Sequence, residues 1–380
     1  MKVLFIGSDP SLFDTSSASY ARMLSYAEAI GDLTILMRSN GPSSEQVHEP
    51  LTIVSVQGGK LDGLRKVQEK AREIITTKGI EVVSAQDPFE HGFVAMQAVK
   101  GTTAKLHIQV HTDFLSPWFV RSGVLRSPMV LMPAKNRVRL TLADKVLPKA
   151  NGIRCVSERI KQSLIKQYGS TIPEPSVIPI AVSTDVPPAV PLPTHQFTFA
   201  LITVGRLEPE KRIEDIIEAL SLIHNQYPAV GLIIVGSGRE EATLKKLVVK
   251  KGLAEKVVFT GPRTDAWGLM RSAQCYIQAS AYEGYGRTLV EAALSRIPII
   301  TSDVGVVGEI FKGYEDVLAS PPGDPTNLAY QIIKLVEDPV AKERMIRSAE
   351  VKAKEHLSTY ADLPHMIAAD LARLQAPATL

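Results

Sequence analysis

Ala279-Ser-Ala-Tyr-Glu-Gly-Tyr-Gly-Arg-Thr-Leu-Val-Glu-Ala-Ala-Leu294 decides how the rest of the chain is read. It follows a short apolar run, Cys275-Tyr-Ile-Gln278, and leads into a helical pattern, so it marks a strand-to-helix turn. Two carboxylates, Glu283 and Glu291, bracket a loop containing Gly284 and Gly286. Those glycines permit a tight turn and a close backbone approach. The helix that follows presents unpaired N–H groups and a positive dipole end, which suits a diphosphate. Taken alone, either carboxylate is better read as solvated, and a glutamate near a helix N-terminus needs only the dipole to explain it. Its neighbours must decide between the two readings.

Outward from this stretch, the second half of the chain alternates strands and helices. Strands are expected over Phe197–Val204, Gly231–Val235, Val257–Thr260, Cys275–Ser280 and Pro298–Ser302. Helices are expected over Ile213–Asn225, Glu240–Lys251, Ala266–Arg271, Thr288–Ser295, Thr326–Glu337, Ala341–His356 and Ala361–Leu374. The first half has the same grammar, with strands over Lys2–Ile6, Leu33–Met37, Leu51–Val56, Glu81–Ala85 and Leu106–Val110 and helices over Ser16–Ile30 and Leu61–Thr77. Repeated β-α units imply mostly parallel sheets covered by helices on both faces. Between the halves, residues 173–193 carry Pro173, Pro175, Pro179, Pro187, Pro188, Pro191 and Pro193, a stiff linker that excludes a central strand or helix. The fold class is therefore α/β, two doubly wound Rossmann-like domains facing a cleft. The division is 1–185, 186–358 and a last segment, 359–380.

With 380 residues, 45% hydrophobic and 22% charged, the chain reads as two globular domains. No run approaches the roughly 18 apolar residues of a membrane span. The N-terminus reads as a buried strand rather than a signal peptide, and a cytoplasmic address is expected. Cys155 and Cys275 have no metal-ligand or redox spacing. The net charge of +3 is uneven: Arg121, Arg126, Lys135, Arg137, Arg139, Lys145 and Lys149 face Asp144 alone, interleaved with Val130, Leu131, Met132, Val138, Leu140, Leu142, Val146 and Leu147. Segment 121–149 has two readings, a solvated helix face or a basic amphipathic surface resting on anionic lipid at the inner face of the cell membrane. Nucleic acid is not an expected partner, because the segment lacks interleaved aromatics.

Ligands of open α/β sheets bind beyond the carboxyl ends of the strands. The polar residues there are Gly205, Arg206 and Lys211; Gly236, Ser237 and Gly238; Glu283 and Arg287; His111 and Asp113; Gly7 and Ser8; and Asp87, Glu90 and His91. Arg206 and Lys211 would supply positive charge to a departing nucleoside diphosphate without a metal. Glu283 would accept from sugar hydroxyls and Glu291 from the two ribose hydroxyls. Gly236-Ser-Gly238 lacks the third glycine of the dinucleotide fingerprint and fits a simple strand-to-helix turn. The chain has no Asp-x-Asp pair for a metal-bound nucleotide sugar and no Walker A loop.

Taken as a set, Gly205-Arg-Leu-x-x-x-Lys211, Val235-Gly-x-Gly238, Phe259-Thr-Gly261 and Glu283-Gly-Tyr-Gly-x-x-x-x-Glu291 resemble, in order and spacing, the retaining glycosyltransferases of family 4, which have the GT-B fold. Pro298-Ile-Ile-Thr-Ser-Asp303, Gly308-Glu309 and Ser320-Pro-Pro-Gly-Asp324 resemble later segments of that family. The resemblance implies a donor-binding set of Gly205, Arg206, Lys211, Arg263, Glu283, Gly284, Tyr285, Gly286, Arg287, Thr288, Leu289 and Glu291. Within it, Arg206 and Lys211 hold the diphosphate, backbone groups of Gly286 to Leu289 touch sugar and phosphate, and the segment near Arg263 lines the base pocket. His111 would lie beside the donor sugar, so His111, Glu283, Arg206 and Lys211 are the catalytic candidates. The last helix would cross back to the N-terminal domain. The implied reaction is retaining transfer of a hexose from a UDP- or GDP-sugar, without a cofactor or metal, to a carbohydrate or glycolipid acceptor of lipid-linked or cell-envelope type, as in mannosyltransferases. A phosphorylase, an epimerase and a non-catalytic sugar-nucleotide-binding protein are alternatives on the same fold. The loop Ser8–Ser17 departs from the family in lacking its common glycine pair, and Arg212 stands where many members have glycine.

Overall fold

The computed structural model of the protein describes residues 1–59, 62–121 and 131–376. They form two compact units. One holds Met1–Phe114, the chain from Ala134 to Pro179, and the chain from Asp362 onward; the other holds the described residues of Leu115–Pro133 together with Ile180–Ala361.

The first half of the chain runs β1 (Lys2–Gly7), α1 (Ala18–Ile30), β2 (Asp32–Ser39), β3 (Ser44–His48), β4 (Leu51–Gln57), α2 (Gly63–Lys78), β5 (Val82–Ala85), α3 (Glu90–Ala98), β6 (Lys105–Val110), α4 (Pro117–Arg121), α5 (Leu131–Val146), β7 (Gly152–Cys155), α6 (Glu158–Tyr168) and β8 (Ser176–Val177). The sheet of the first unit has the order β3-β4-β2-β1-β5-β6-β7-β8. Its pairs are parallel, with Lys2 opposite Asp32 and Val3 opposite Val82, except for the antiparallel edge β3–β4. Val3, Leu4, Phe5 and Ile6 are all buried, as strands covered on both faces require. Helix α1 starts at Ser17, whose hydroxyl accepts from Tyr20 N–H at 3.0 Å, and stops at Gly31 with φ 105°.

The second half runs β9 (Phe199–Val204), α7 (Ile213–Ile223), β10 (Val230–Val235), α8 (Glu241–Lys250), β11 (Val257–Gly261), α9 (Ala266–Met270), β12 (Cys275–Gln278), α10 (Arg287–Leu294), β13 (Ile299–Ser302), β14 (Leu318–Ser320), α11 (Pro325–Glu337), α12 (Pro339–Thr359) and α13 (Leu363–Ala372). The second sheet has the order β11-β10-β9-β12-β13-β14, parallel throughout. Leu201, Leu232 and Ile234 pack with Ile216, Ile217 and Leu220 of α7 and with Ile332 of α11 in its core.

Several details differ from the sequence-based expectation. Strand β8 lies inside the proline-rich window, but at the rim of its sheet, where Pro175 and Pro179 leave no ladder bond unmade. Residues 115–121 follow β6 in sequence, within the span 1–185, yet they pack in the second unit: Phe119 meets Tyr282 edge to face, and the Trp118 ring lies under the Arg212 guanidinium. Helix α2 starts at Gly63; Leu61, its expected first residue, lies outside the described residues. Helix α13 packs against α1 in the first unit, burying Leu363, Ile367 and Leu371, and Leu374 beyond it lies against Gly152.

Candidate active site

In the second unit, the loops leaving β9, β10 and β11 are tied together by their backbones. Gly205 N–H donates to Val235 O at 3.0 Å, Leu207 N–H to Ser237 O at 2.9 Å, and Gly236 N–H to Gly261 O at 2.9 Å. A Cβ on Gly236 would come within 1.9 Å of Gly205 O, and one on Gly238 within 2.4 Å of Leu207 O. These glycines let neighbouring loops touch, so Gly236-Ser-Gly238 is a strand-to-helix turn.

Lys211 and Glu283, 72 positions apart, meet at the carboxyl ends of β9 and β12. Lys211 Nζ lies 2.5 Å from Glu283 Oε1, and Ser280 Oγ donates to the same oxygen at 2.8 Å. Ala281 N–H donates to Glu210 O at 2.8 Å, which locks the two loops in register. Arg206 is 72% exposed and pairs with Glu210 at 3.1 Å, so its guanidinium is the looser cation of the two. Gly305, with φ 59°, supports the loop from below. A Cβ there would lie 2.4 Å from Tyr285 O, while Val306 N–H donates to that oxygen at 3.0 Å.

Helix α10 begins beyond Gly286, whose φ of 93° is open to glycine. The structure narrows the expected backbone donors. Leu289 N–H already donates to Gly286 O at 2.9 Å, leaving the N–H groups of Arg287 and Thr288 without a partner inside the helix. The Thr288 hydroxyl is a structural tie, 2.8 Å from the Tyr276 hydroxyl and 3.3 Å from Gln278 Oε1. Glu291 is largely buried and pairs with Arg287 at 3.0 Å. Burial pushes its pKa above the usual carboxylate value, and Arg287 works against that shift. Trp267 Nε1 donates to Glu291 O at 3.1 Å and to Ser295 Oγ at 2.7 Å, fixing the helix. Tyr285 is buried with its hydroxyl unpartnered. Arg263, just past β11, is exposed and forks onto Asp265, both bonds 2.7 Å.

His111 belongs to the first unit, at the end of β6. Its Nε2 lies 3.0 Å from Gln109 Oε1. Burial, with Arg154 nearby, lowers its pKa to about 3, so the ring is neutral. Asp87, Glu90 and His91 serve structure: Asp87 accepts from Phe89 N–H at 2.8 Å and from His91 N–H at 3.2 Å at the start of α3, and also bonds the His91 ring. The Ser8–Ser17 loop replaces glycines with a 3-10 turn, Pro10–Phe13, in which Asp9 accepts from Ser11 N–H at 3.1 Å and Leu12 is buried.

Of the basic segment, residues 122–130, with Arg126 and Val130 among them, lie outside the described residues, as do the side chains of Arg121, Leu131 and Met132. Lys135, Arg137, Val138, Lys145 and Lys149 are exposed. Arg139 is committed to Glu90 through two oxygens at 3.1 Å and stacks on Phe89. Among the described residues, no helix is long and apolar enough to cross a membrane, and no group of three or more His, Cys, Asp or Glu side chains is placed to hold a metal ion. Ser280, Gln109 and Arg154 were not singled out by the sequence. The signal available was a polar residue inside an otherwise apolar strand or beside its end.

Residues 195–352 match the family model described as glycosyl transferases group 1. Over 151 residues the chain is 31% identical to a glycogen synthase of Mycobacterium tuberculosis, covering 39% of this chain and 36% of the relative. Over 171 residues it is 30% identical to the lipopolysaccharide core biosynthesis glycosyltransferase LpsD of Rhizobium meliloti, covering 44% and 49%. The chain thus spans about a third to a half of the length of these relatives. Among solved structures, a sucrose-phosphate synthase from Thermosynechococcus elongatus superposes with a TM-score of 0.80 at 19% identity, covering 99% of both chains. Anabaena Alr3699/HepE in complex with UDP-glucose superposes with a TM-score of 0.73 at 20% identity, covering 97% of this chain and 100% of that one. The fold is GT-B, and the stretch that carries Arg206, Lys211, Glu283 and Glu291 is the one that matches the glycosyl transferases group 1 model.

Proposed function

We propose that the protein is a retaining, metal-independent glycosyltransferase of family 4 that moves a hexose from a UDP- or GDP-sugar to an acceptor hydroxyl. The observation that carries this reading is the Lys211–Glu283 pair, 2.5 Å apart, at adjoining strand ends of a group 1 glycosyltransferase domain. Lys211 and the exposed Arg206 neutralise the donor diphosphate together with the N–H groups of Arg287 and Thr288 at the start of α10. Glu283 accepts from hydroxyls of the transferred sugar, and Glu291 from the ribose. The acceptor oxygen attacks the anomeric carbon on the face from which the diphosphate leaves. The C–O bond to the diphosphate breaks as the new glycosidic bond forms, and the departing phosphate oxygen takes the acceptor proton.

The relatives support a sugar-nucleotide donor: HepE was solved with UDP-glucose, and LpsD is named for lipopolysaccharide core synthesis. We place the acceptor among lipid-linked or envelope glycans, mannosyl transfer included, and the protein in the cytoplasm with α5 against the inner membrane face. Lys211→Ala and Glu283→Ala are each expected to lower transfer by about 10²–10³-fold, the usual effect of losing one well-placed charge-stabilising group. Both variants should remain folded, and the loss of transfer should exceed what any lowered melting temperature accounts for. Turnover near normal in both variants overturns the assignment. Liposome co-sedimentation addresses the membrane: binding to anionic but not neutral vesicles, lost on raising salt, is expected for Lys135, Arg137, Lys145 and Lys149 at the surface. Equal, weak binding to both vesicle types leaves α5 a solvated face.

A further inference from the structure

A buried polar chain runs behind His111, with a direction set at both ends. At one end, the Arg154 guanidinium, 3% exposed, donates from Nε to Ile178 O at 3.0 Å, from Nη2 to Pro179 O at 2.7 Å, and from Nη1 to Gln109 Oε1 at 3.0 Å. Arginine has no acceptor, so the Gln109 amide must turn its oxygen toward it. The Gln109 amide nitrogen then donates to Ser84 Oγ at 2.9 Å. The Ser84 hydroxyl has one proton, and it goes to His107 Nδ1, 2.8 Å away. His107 is left with its proton on Nε2, which donates to Asp370 Oδ2 at 3.0 Å. Asp370, on α13, also accepts from Ser176 Oγ at 2.5 Å and pairs with Arg373 at 3.0 Å. Ser84, His107, Gln109, Arg154 and Asp370 are all buried. A permanent donor stands at one end and a carboxylate at the other, so every intermediate group has a single satisfied orientation.

The same logic reaches His111. Gln109 Oε1 can only accept, so the His111 nitrogen 3.0 Å from it, Nε2, must carry the proton. We propose that Gln109, turned by Arg154 and sealed behind by the Ser84–His107–Asp370 chain, is a positioning residue that fixes His111 as its neutral Nε2–H tautomer and leaves Nδ1 as a hydrogen-bond acceptor. The tautomer stands on geometry within the first unit; its effect on turnover rests on the functional reading above. His111 therefore acts neither as an acid nor as a charge. It presents a lone pair at a fixed angle; burial, with Arg154, Arg22 and His107, keeps the ring neutral against the opposing pull of Asp87. Helix α13 takes part in this arrangement through one carboxylate.

The test is spectroscopic. Long-range ¹H–¹⁵N spectra of histidine-labelled full-length protein at neutral pH distinguish the two tautomers and the imidazolium, and His111→Gln assigns the His111 signal. The Nε2–H pattern in the parent protein is expected. The Nδ1–H or imidazolium pattern overturns the proposal, and this result requires no variant to fold. In Gln109→Met, which keeps the bulk and removes the acceptor, a tautomer mixture is expected, with kcat lower by about 10–100-fold, the effect of a mispositioned site group. A His111 signal unchanged by Gln109→Met overturns the lock even if activity falls. The functional reading fails separately: if UDP, GDP, ADP and their sugars all leave the melting temperature unmoved while His111 shows the Nε2–H pattern, the donor assignment is wrong and the lock stands.

Discussion

Lys211 and Glu283 satisfy one another before any donor arrives, and Ser280 shares the carboxylate. On the proposed donor reading, binding would exchange partners rather than fill unpaired groups, with a diphosphate taking over Lys211 and a sugar hydroxyl taking over Glu283. Each member keeps the other from standing half-buried and uncompensated in the resting protein, a state that truncating one partner would create. Glu291 makes a different prediction. Its folded pKa is raised by burial, so its carboxyl takes up a proton at a higher pH than an exposed glutamate does. In its proposed role Glu291 takes the ribose as a carboxylate, so donor affinity should weaken as pH falls through that raised value. Arg287→Ala removes the charge opposing the shift and should move the loss to higher pH, as read by nucleotide titrations from pH 5 to 8. An unchanged pH profile in that variant would mean that Glu291 does not bind the ligand. Arg206, Lys211 and Glu283 were singled out because they lie in loops that follow apolar strands, and Glu291 because it stands one turn into the helix after such a loop. Gln109 and Arg154 were not, because they lie inside strands and look like interruptions of an apolar run. Nor was Gly305, whose purpose is visible only once Tyr285 O is seen above it.

At the scale of elements, strands with continuous β-branched or aliphatic runs, such as β1, β9 and β10, were legible, and so were helices α1, α2, α7 and α11, whereas α3 and α6 were not expected. β3 was missed because Ser44–His48 is polar and largely exposed, an edge strand held by pairing with β4 rather than by burial. β7 was missed because four residues containing Arg154 carry too little periodicity, although all four are buried. Helix α7 carries an electrostatic strain that composition hides. Glu214 sits in its first turn, where a carboxylate normally gains from the dipole, yet burial and neighbouring Asp215 raise its pKa to about 7. Because the folded pKa lies above the unfolded one, the protonated form favours folding below the ordinary glutamate value. That contribution is lost as pH rises to about 7. Glu214→Gln should therefore raise the melting temperature at pH 8 and have little effect at pH 4.5. Equal shifts at both pH values would assign the effect to packing instead.

For the whole molecule, the two units are interleaved along the chain, in the order first, second, first, second, first. The halves expected from the proline window are accordingly not the units that pack. A chain ending at Ala361 keeps every strand of both sheets but loses the partner of His107 Nε2 and of the Ser176 hydroxyl, along with the apolar face of α13 against α1. Calorimetry on that truncation should show the first unit melting earlier while nucleotide binding by the second persists. One transition at the parent temperature would mean that α13 contributes nothing to the fold.

The return of α13 also sets a schedule for synthesis. β1 is translated ahead of the whole second unit, yet the helix that closes its own unit is translated after Ala361, when the second unit is already complete. The unit begun first is the last to finish. For most of translation, His107 and Ser176 wait for a carboxylate that has not yet been made.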